Sequence, residues 1–320
     1  MAHGLPLTNE DLNGRRGVDL AERQLTGIAE SPDQLAMLEE LDLDGNRLVS
    51  LPVSIGRMTS LKTLSLYSNQ LAFLPEAVWR LTRLQRLNLA ENRFSILPEG
   101  IRNLIGLVMV DLGHNELTLL PEGIGNLHNL EFLYVSNNRL TSLPDSLRNL
   151  GSLLYLNVTD NQLASLPESI GNLARLIELR LYNNQLSFLP DSLGQLNKLR
   201  ELHLMNNKLA SLPETLGGLT SLKKMILQGN QLTSLPESIC ALGNLTDLDL
   251  RNNQLAALPE SLGNLANLRY LDLRANKLVR LPDSLAELTN LEKLDLRWNK
   301  LLNHPDWIRL LEERGCAVFV

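Results

Sequence analysis

The chain is poor in aromatic residues, in cysteine and in positive charge, and each shortage removes a class of explanation. Lysine and arginine number 30 against 36 aspartates and glutamates, a net charge of −6 spread along 320 residues. A nucleic acid or an anionic membrane surface is held by a basic stripe, so neither is expected as a partner. No apolar run approaches the ~18 residues of a membrane span, and Met1 to Arg16 is polar, without the apolar stretch of a signal peptide. The two cysteines, Cys240 and Cys316, are far apart and form no CxxC pair, which points to a reducing, cytoplasmic setting. The histidines (His3, His114, His128, His203 and His304) are scattered, so no metal centre is expected. A Walker loop, an HExxH pair and a G-x-S-x-G elbow are all missing, and Cys316 is a poor candidate nucleophile. The chain is therefore expected to be no enzyme and to need no cofactor.

What the sequence has instead is a period. Asn46, Asn69, Asn92, Asn115, Asn138, Asn161, Asn184, Asn207, Asn230, Asn253, Asn276 and Asn299 follow one another at intervals of 23 residues without an insertion or deletion. The unit is clearest in Leu245 to Asn267. Leu245, Leu248 and Leu250 show the alternation of a short strand with its apolar side inward. Leu255, Leu258, Leu262 and Leu265 carry that inward face around the rest of the turn. Pro259, followed by Glu260 and Ser261, suits the first turn of a short helix or 3₁₀ segment, where a missing N–H is harmless. One such copy buries too little apolar surface to offset the entropy of ordering its backbone. Stacking supplies the missing burial, which is the logic of a solenoid. Each asparagine falls where the chain turns out of the strand, beside a leucine. A buried amide must be hydrogen-bonded, so an asparagine ladder bonded to loop backbone is expected.

The pattern LxxLxLxxNxLxxLPxxLxxLxx resembles the leucine-rich repeat, in its 23-residue LPxxI/L form found in the Ras-suppressor group, Scribble-like scaffolds, plant Ras-group proteins and many bacterial proteins. The resemblance implies an α/β repeat solenoid, a horseshoe with a parallel sheet on its concave face and short helical or 3₁₀ segments on its convex face. Secreted relatives usually carry cysteine clusters at both ends, and none is present here. Some bacterial relatives carry an appended ubiquitin-ligase domain and some plant ones a kinase; the repeats leave no room for either.

The expected organisation is a leader and degenerate capping repeat over residues 1–37, twelve 23-residue repeats over 38–313, and a closing strand over 314–320. Thr8-Asn9-Glu10-Asp11 offers a helix cap in the leader. Val18-Asp19-Leu20 lies one period ahead of Leu41-Asp42-Leu43, with Arg15, Arg23 and Ala29 replacing the opening leucine, the asparagine and the proline. Full copies begin at Leu38 and recur to Leu291, the last carrying His304 before Pro305. The tail from Cys316 to Val320 is in register for a final strand with Ala317 and Phe319 inward, Trp307 and Ile308 covering the core beside it.

Function must lie in the variable positions. Strand residues that alternate with the leucines share the opposite face, and reading them as three columns across the copies gathers all five tyrosines of the chain. Met109, Phe132, Tyr134, Tyr155, Tyr182, His203, Met205 and Ile226 form a candidate contact patch of residue types enriched at interface centres. The alternative is that aromatic residues simply favour strands and pack on their cross-strand neighbours. Towards the C-terminus, Asp249, Asp272 and Asp295 stand beside Arg251, Arg274 and Arg297. That strip is either a self-neutralised solvent face or a dock for a charged segment, with Trp298 at its rim. Trp79 and Cys240 share an outer position that suits packing. Phe73 and Phe188 share one just past the strand, where they extend a binding edge or shield the bend.

The combined expectation is a non-catalytic, monomeric, cytoplasmic scaffold or signalling module that binds a protein on its concave face. Similarity to the Ras-suppressor group makes a small GTPase or a kinase a permissible partner by analogy. The competing readings are a bacterial effector-type targeting module and the repeat part of a larger signalling protein or enzyme.

Overall fold

The computed structural model describes residues 16–28, 36–303 and 305–320. Expectations for Thr8 to Asp11, Arg15, Ala29, His3 and His304 fall outside these residues. The chain divides into two units, Met1–Asn161 and Gln162–Val320. The first holds the parallel strands β1 (Gly17–Asp19), β2 (Glu40–Asp42), β3 (Thr63–Ser65), β4 (Arg86–Asn88), β5 (Met109–Asp111), β6 (Phe132–Tyr134) and β7 (Tyr155–Asn157), in chain order. The second holds β8 (Glu178–Arg180), β9 (Glu201–His203), β10 (Lys224–Ile226), β11 (Asp247–Asp249), β12 (Tyr270–Asp272), β13 (Lys293–Asp295) and β14 (Ala317–Phe319), also in chain order. Each strand is three residues long because only its central residue faces the core before the chain turns away.

The copy that opens at Leu107 shows how the burial works. Leu107, Val110, Leu112, Leu117, Ile124 and Leu127 have no exposed surface, and Leu120 has 5%. Pro121 is extended (φ −69°, ψ 152°) and its carbonyl accepts the N–H of Ile124 at 3.1 Å, closing the first turn of the 3₁₀ segment Glu122–Asn126. The proline thus stands one residue before the helical turn, not within it. Its fixed φ suits the extended approach as well as it would suit the turn. Trp79 is buried in the corresponding outer segment, and Gly100 makes room for it: a Cβ there would lie 2.7 Å from the indole ring. Cys240 is buried as well, and both cysteines are free thiols.

The asparagines do what their spacing implies. Asn115 Nδ2 donates to Leu89 O (3.0 Å) in the preceding copy and to Leu112 O and Gly113 O (both 3.1 Å) in its own. Its Oδ1 accepts the N–H of Phe94 at 2.9 Å. Asn253 in the second unit repeats the set with Leu227, Leu250 and Arg251 as acceptors and Leu232 as donor. Each amide therefore ties two copies together through groups that water cannot reach.

The residue before each ladder asparagine adopts a left-handed backbone. Ser68, Glu91, His114, Asn137, Asp160, Asn183, Asn206, Asn252, Ala275 and Trp298 have φ between 50° and 62°, and Gly45 and Gly229 occupy the same position. Asparagine and glycine tolerate this region; the others carry strain of about 1–2 kcal/mol each.

The first copy is present as β1, with Val18, Leu20 and Leu25 buried and the N–H groups of Arg23 and Leu25 both donated to Asn46 Oδ1. The other end departs from expectation. An α-helix, α1 (Trp307–Glu313), replaces the 3₁₀ segment; it buries Trp307, Ile308 and Leu311, and Trp307 Nε1 donates to Asp283 Oδ1 at 3.2 Å. Its seven residues exceed the usual five, so β14 pairs Lys293 with Ala317, Leu294 with Val318 and Asp295 with Phe319, 24 residues apart. A slip of one residue reverses the faces of a strand. Ala317 and Phe319, expected inward, are exposed, and Val318 and Cys316 take the inner positions. No described helix is long and apolar enough to cross a membrane.

Replacing Asn115 by leucine keeps the volume but strips the Phe94 N–H of its partner and takes one of two donors from Leu89 O, Leu112 O and Gly113 O, which keep Asn92 Nδ2, Asn138 Nδ2 and the Glu91 N–H. At ~1–3 kcal/mol for a buried group left unsatisfied, the variant is expected to lose at least about 1 kcal/mol in a urea melt. An unchanged midpoint would remove the ladder from its structural role.

Candidate functional site

Two of the three columns are the outer residues of each strand, and the third, with Tyr182, Met205, Arg251, Arg274 and Arg297, falls two residues past the strand end. In the first unit Met109, Phe132 and Tyr155 are direct neighbours along β5, β6 and β7, with Asp111, Tyr134 and Asn157 forming the next row. All four candidate residues here are half-buried. The rings of Tyr134 and Tyr155 lie 5.0 Å apart at 38°, a tilted contact favoured by aromatic quadrupoles. Beside them is an open hollow of about 310 Å³, lined by Arg86, Val108, Met109, Phe132 and Tyr134. Arg86, on β4, is exposed and makes no ion pair with any described residue. Asp111 points to the same face from β5, its Oδ1 accepting the N–H of Gly113 at 2.9 Å. Burial pushes its carboxyl above the usual aspartate range, and the Gly113 hydrogen bond and the field of His114 only partly oppose this.

In the second unit Tyr182, His203, Met205 and Ile226 are half-buried on the strand face, His203 and Ile226 side by side on β9 and β10. His203 does not belong to an apolar patch. Its Nε2 lies 3.0 Å from Glu201 Oε2 and 4.0 Å from Glu178 Oε1. The donor atoms of Glu178, Glu201 and His203 all fall within 4.8 Å of one another, a spacing that a cation could bridge. Both carboxylates already have cationic neighbours, however: Arg180 Nε donates to Glu178, and Lys224 Nζ stands 3.9 Å from Glu201. Reading down the columns hid this cluster. Reading across them would have found it, since Glu178 and Glu201 are adjacent in one column and His203 is in the next.

The C-terminal strip is internally compensated. Arg251 Nε lies 3.1 Å from Asp249, Arg274 bonds Asp272 through both Nε and Nη2, and Arg297 grips Asp295 with Nε at 2.9 Å and Nη2 at 2.7 Å. Arg274 also reaches across to Asp295 at 3.3 Å. Burial of Asp295 opposes its charge, but the side-chain and backbone hydrogen bonds of Arg297 and the nearby guanidinium groups outweigh it and hold the carboxyl below its usual range. Asp249 has the opposite balance, burial raising it against a weaker Arg251 contribution. Trp298 stands apart from this economy. It is 73% exposed and sits at φ 62°, with the Arg297 guanidinium 5.7 Å from one face of its ring and 5.1 Å from the ring of Phe319.

Four other exposed apolar residues share one repeat position. Phe73, Ile96 and Leu119 occupy one repeat position in three successive copies, 57–72% exposed, and Phe188 recurs at 55%. Of the two roles open to Phe73 and Phe188 in the sequence, shielding the bend does not fit such exposure.

Family models for the leucine-rich repeat match residues 19–94, 256–301, 198–219 and 244–265, and one for a leucine-rich repeat region matches 109–207. A leucine-rich-repeat protein of Leptospira interrogans is 30% identical, with 99% of this chain and 100% of that one aligned and a TM-score of 0.66. An internalin of Listeria monocytogenes shares the fold at 24% identity and a TM-score of 0.83, over 98% of this chain and 88% of that one. A plant peptide hormone receptor, RGFR1, solved in complex with RGF2, is 31% identical with a TM-score of 0.73; 89% of this chain aligns with 52% of the receptor, about half its length. No curated protein matches the chain.

Two substitutions probe what these faces owe to folding. Trp298→Gly relieves about 1 kcal/mol of left-handed strain against a cation–π loss of ~0.5–1 kcal/mol, so its melting temperature should equal or exceed the wild type's. A drop of several degrees would make the ring structural. Asp111→Asn keeps the acceptor for Gly113 and removes a charge that burial disfavours. Because the folded-state pKa is raised, the ion costs stability at neutral pH and the cost vanishes as pH falls below the unfolded value. The variant should melt higher than the wild type at pH 7, with the gap closing towards pH 3; a gap independent of pH would assign the effect to packing.

Proposed function

Since the chain belongs to the leucine-rich-repeat family, whose repeated positions are consumed by stacking, we propose that it is a non-catalytic module that binds a protein partner on its concave strand face. The observation that carries this reading is the clustering of Met109, Phe132 and Tyr134 around one open hollow, with the Tyr155 ring against that of Tyr134. Residues of these types anchor interface centres, and a half-buried apolar group on a solvent face marks a contact site. The plant receptor of similar fold, solved with RGF2, supports a protein or peptide ligand. Within the second unit, Tyr182, Met205 and Ile226 offer apolar contacts of their own, and Trp298 with Arg297 offers a further anchor. Arg251 and Arg274 act there as orienting charges. Two free, buried thiols suit a reducing compartment, in keeping with a cytoplasmic module.

The test compares capture from a lysate of the source organism by the wild type and by a Phe132→Ala, Tyr134→Ala, Tyr155→Ala variant with a matching melting curve. A partner held by the wild type should be depleted at least about ten-fold by the variant, since interface anchors of this kind are worth ~2 kcal/mol or more. Equal retention by both proteins would return the three rings to strand packing.

A further inference from the structure

The strand columns contain five arginines: Arg86, Arg180, Arg251, Arg274 and Arg297. Four of them have a carboxylate partner within their own unit, on Glu178, Asp249, Asp272 and Asp295. Arg86 has none among the described residues, and it alone borders the apolar hollow of Met109, Phe132 and Tyr134. Resting on the reading that this hollow docks a protein, the geometry points to a ligand of defined chemistry: an extended peptide segment that seats a large apolar side chain against Phe132 and Met109 and presents a carboxylate to Arg86.

Three features favour this occupant. A guanidinium on an exposed strand is a rigid fork suited to a carboxylate, and no described residue forms an ion pair with it. Its position sets the spacing: β4 and β6 are two strand intervals apart, roughly 10 Å, and an extended peptide advances ~3.3 Å per residue. The acid therefore lies about one to three residues from the apolar anchor once the reach of the arginine is included. The polarity of the hollow fixes the side on which it lies. Asp111 sits on β5 opposite Tyr134, without an ion pair to any described residue, so a carboxylate on the Tyr134 side would meet like charge. A basic or purely apolar segment would leave Arg86 facing either repulsion or nothing.

The experiment pans a phage-displayed library of random nonapeptides against the wild type, Arg86→Gln, Arg86→Glu and Phe132→Ala, all with matching melting curves. The wild type should select peptides in which Phe, Trp, Leu or Met is followed or preceded, within three residues, by Asp or Glu. A synthetic peptide of that selected class should bind Arg86→Gln about three- to ten-fold more weakly in fluorescence anisotropy, the range expected of a single charge pair that loses part of its water. Arg86→Glu should select lysine or arginine in place of the acid while keeping the apolar residue. Apolar peptides that bind the wild type and are lost with Phe132→Ala, but whose charge preference is absent or indifferent to Arg86, would overturn the assignment of the acidic group and leave the docking reading standing. Selection of no peptides by the wild type beyond those of Phe132→Ala would overturn both.

Discussion

The hydrogen bonds of one amide per copy hold the rest of the structure in place. A strand of three residues with a five-residue 3₁₀ return leaves the bend between them full of backbone groups that no helix or sheet satisfies. The asparagine side chain is short enough to stay inside that bend, and it both donates and accepts. Asn115 and its counterparts therefore close their own turn and the preceding one together. A fixed bond between neighbours demands a fixed distance along the chain, and the unbroken interval of 23 follows from it. The leucine core supplies the driving force, but its side chains would tolerate many spacings. The amide would not.

This constraint explains why so much was legible. An uninterrupted period fixes which residues stack beside which, so the strands and the buried faces could be read from the sequence, and the leucine-rich-repeat resemblance implied their parallel pairing. Members of a column became neighbours in space as expected, as with Met109, Phe132 and Tyr155 on β5, β6 and β7. Legibility failed where the period itself fails. Between Leu291 and the final strand the return segment is an α-helix, and α-helical and 3₁₀ returns bury apolar residues at nearly the same spacing. Trp307, Ile308 and Leu311 fit either, so the sequence carried no sign of the extra residue that turns Val318 inward. The left-handed position before each asparagine was half-hidden for a different reason. Asn183, Asn206, Asn252 and Gly229 announce it, while Glu91, Ala275 and Trp298 conform only because the ladder on one side and the strand on the other leave the backbone no alternative.

Side-chain chemistry on the strand face was less legible than the face itself. A column says which residues are adjacent, but rotamers and charge balance decide what adjacency becomes. His203 was grouped with Tyr182, Met205 and Ile226 by position, yet it stands in a polar cluster with two carboxylates. The strip of Arg251, Arg274 and Arg297 read as a self-neutralised face ahead of a dock for a charged segment, and each arginine is held by a carboxylate two residues before it in its own copy. Such a pair adds little to stability where it is open to solvent, while Asp295 is fully buried. The pairing occupies both groups, so that a ligand must displace an existing partner to use either.

That distinction separates residues that resemble one another in the sequence. A paired arginine offers a ligand only the difference between two carboxylates, whereas an unpaired one offers the whole interaction. The same holds for apolar surface: Phe73 and Ile96 are widely exposed as single side chains, but Phe132 and Tyr134 shape a hollow that can exclude water from a ligand atom. Exclusion of water is what makes a neighbouring charge count, because the attraction between unit charges rises as the effective dielectric falls. The apolar wall and the unpaired guanidinium of Arg86 therefore strengthen each other, and neither would mark the position alone. Binding chemistry belongs where an unsatisfied charge meets a shaped apolar wall.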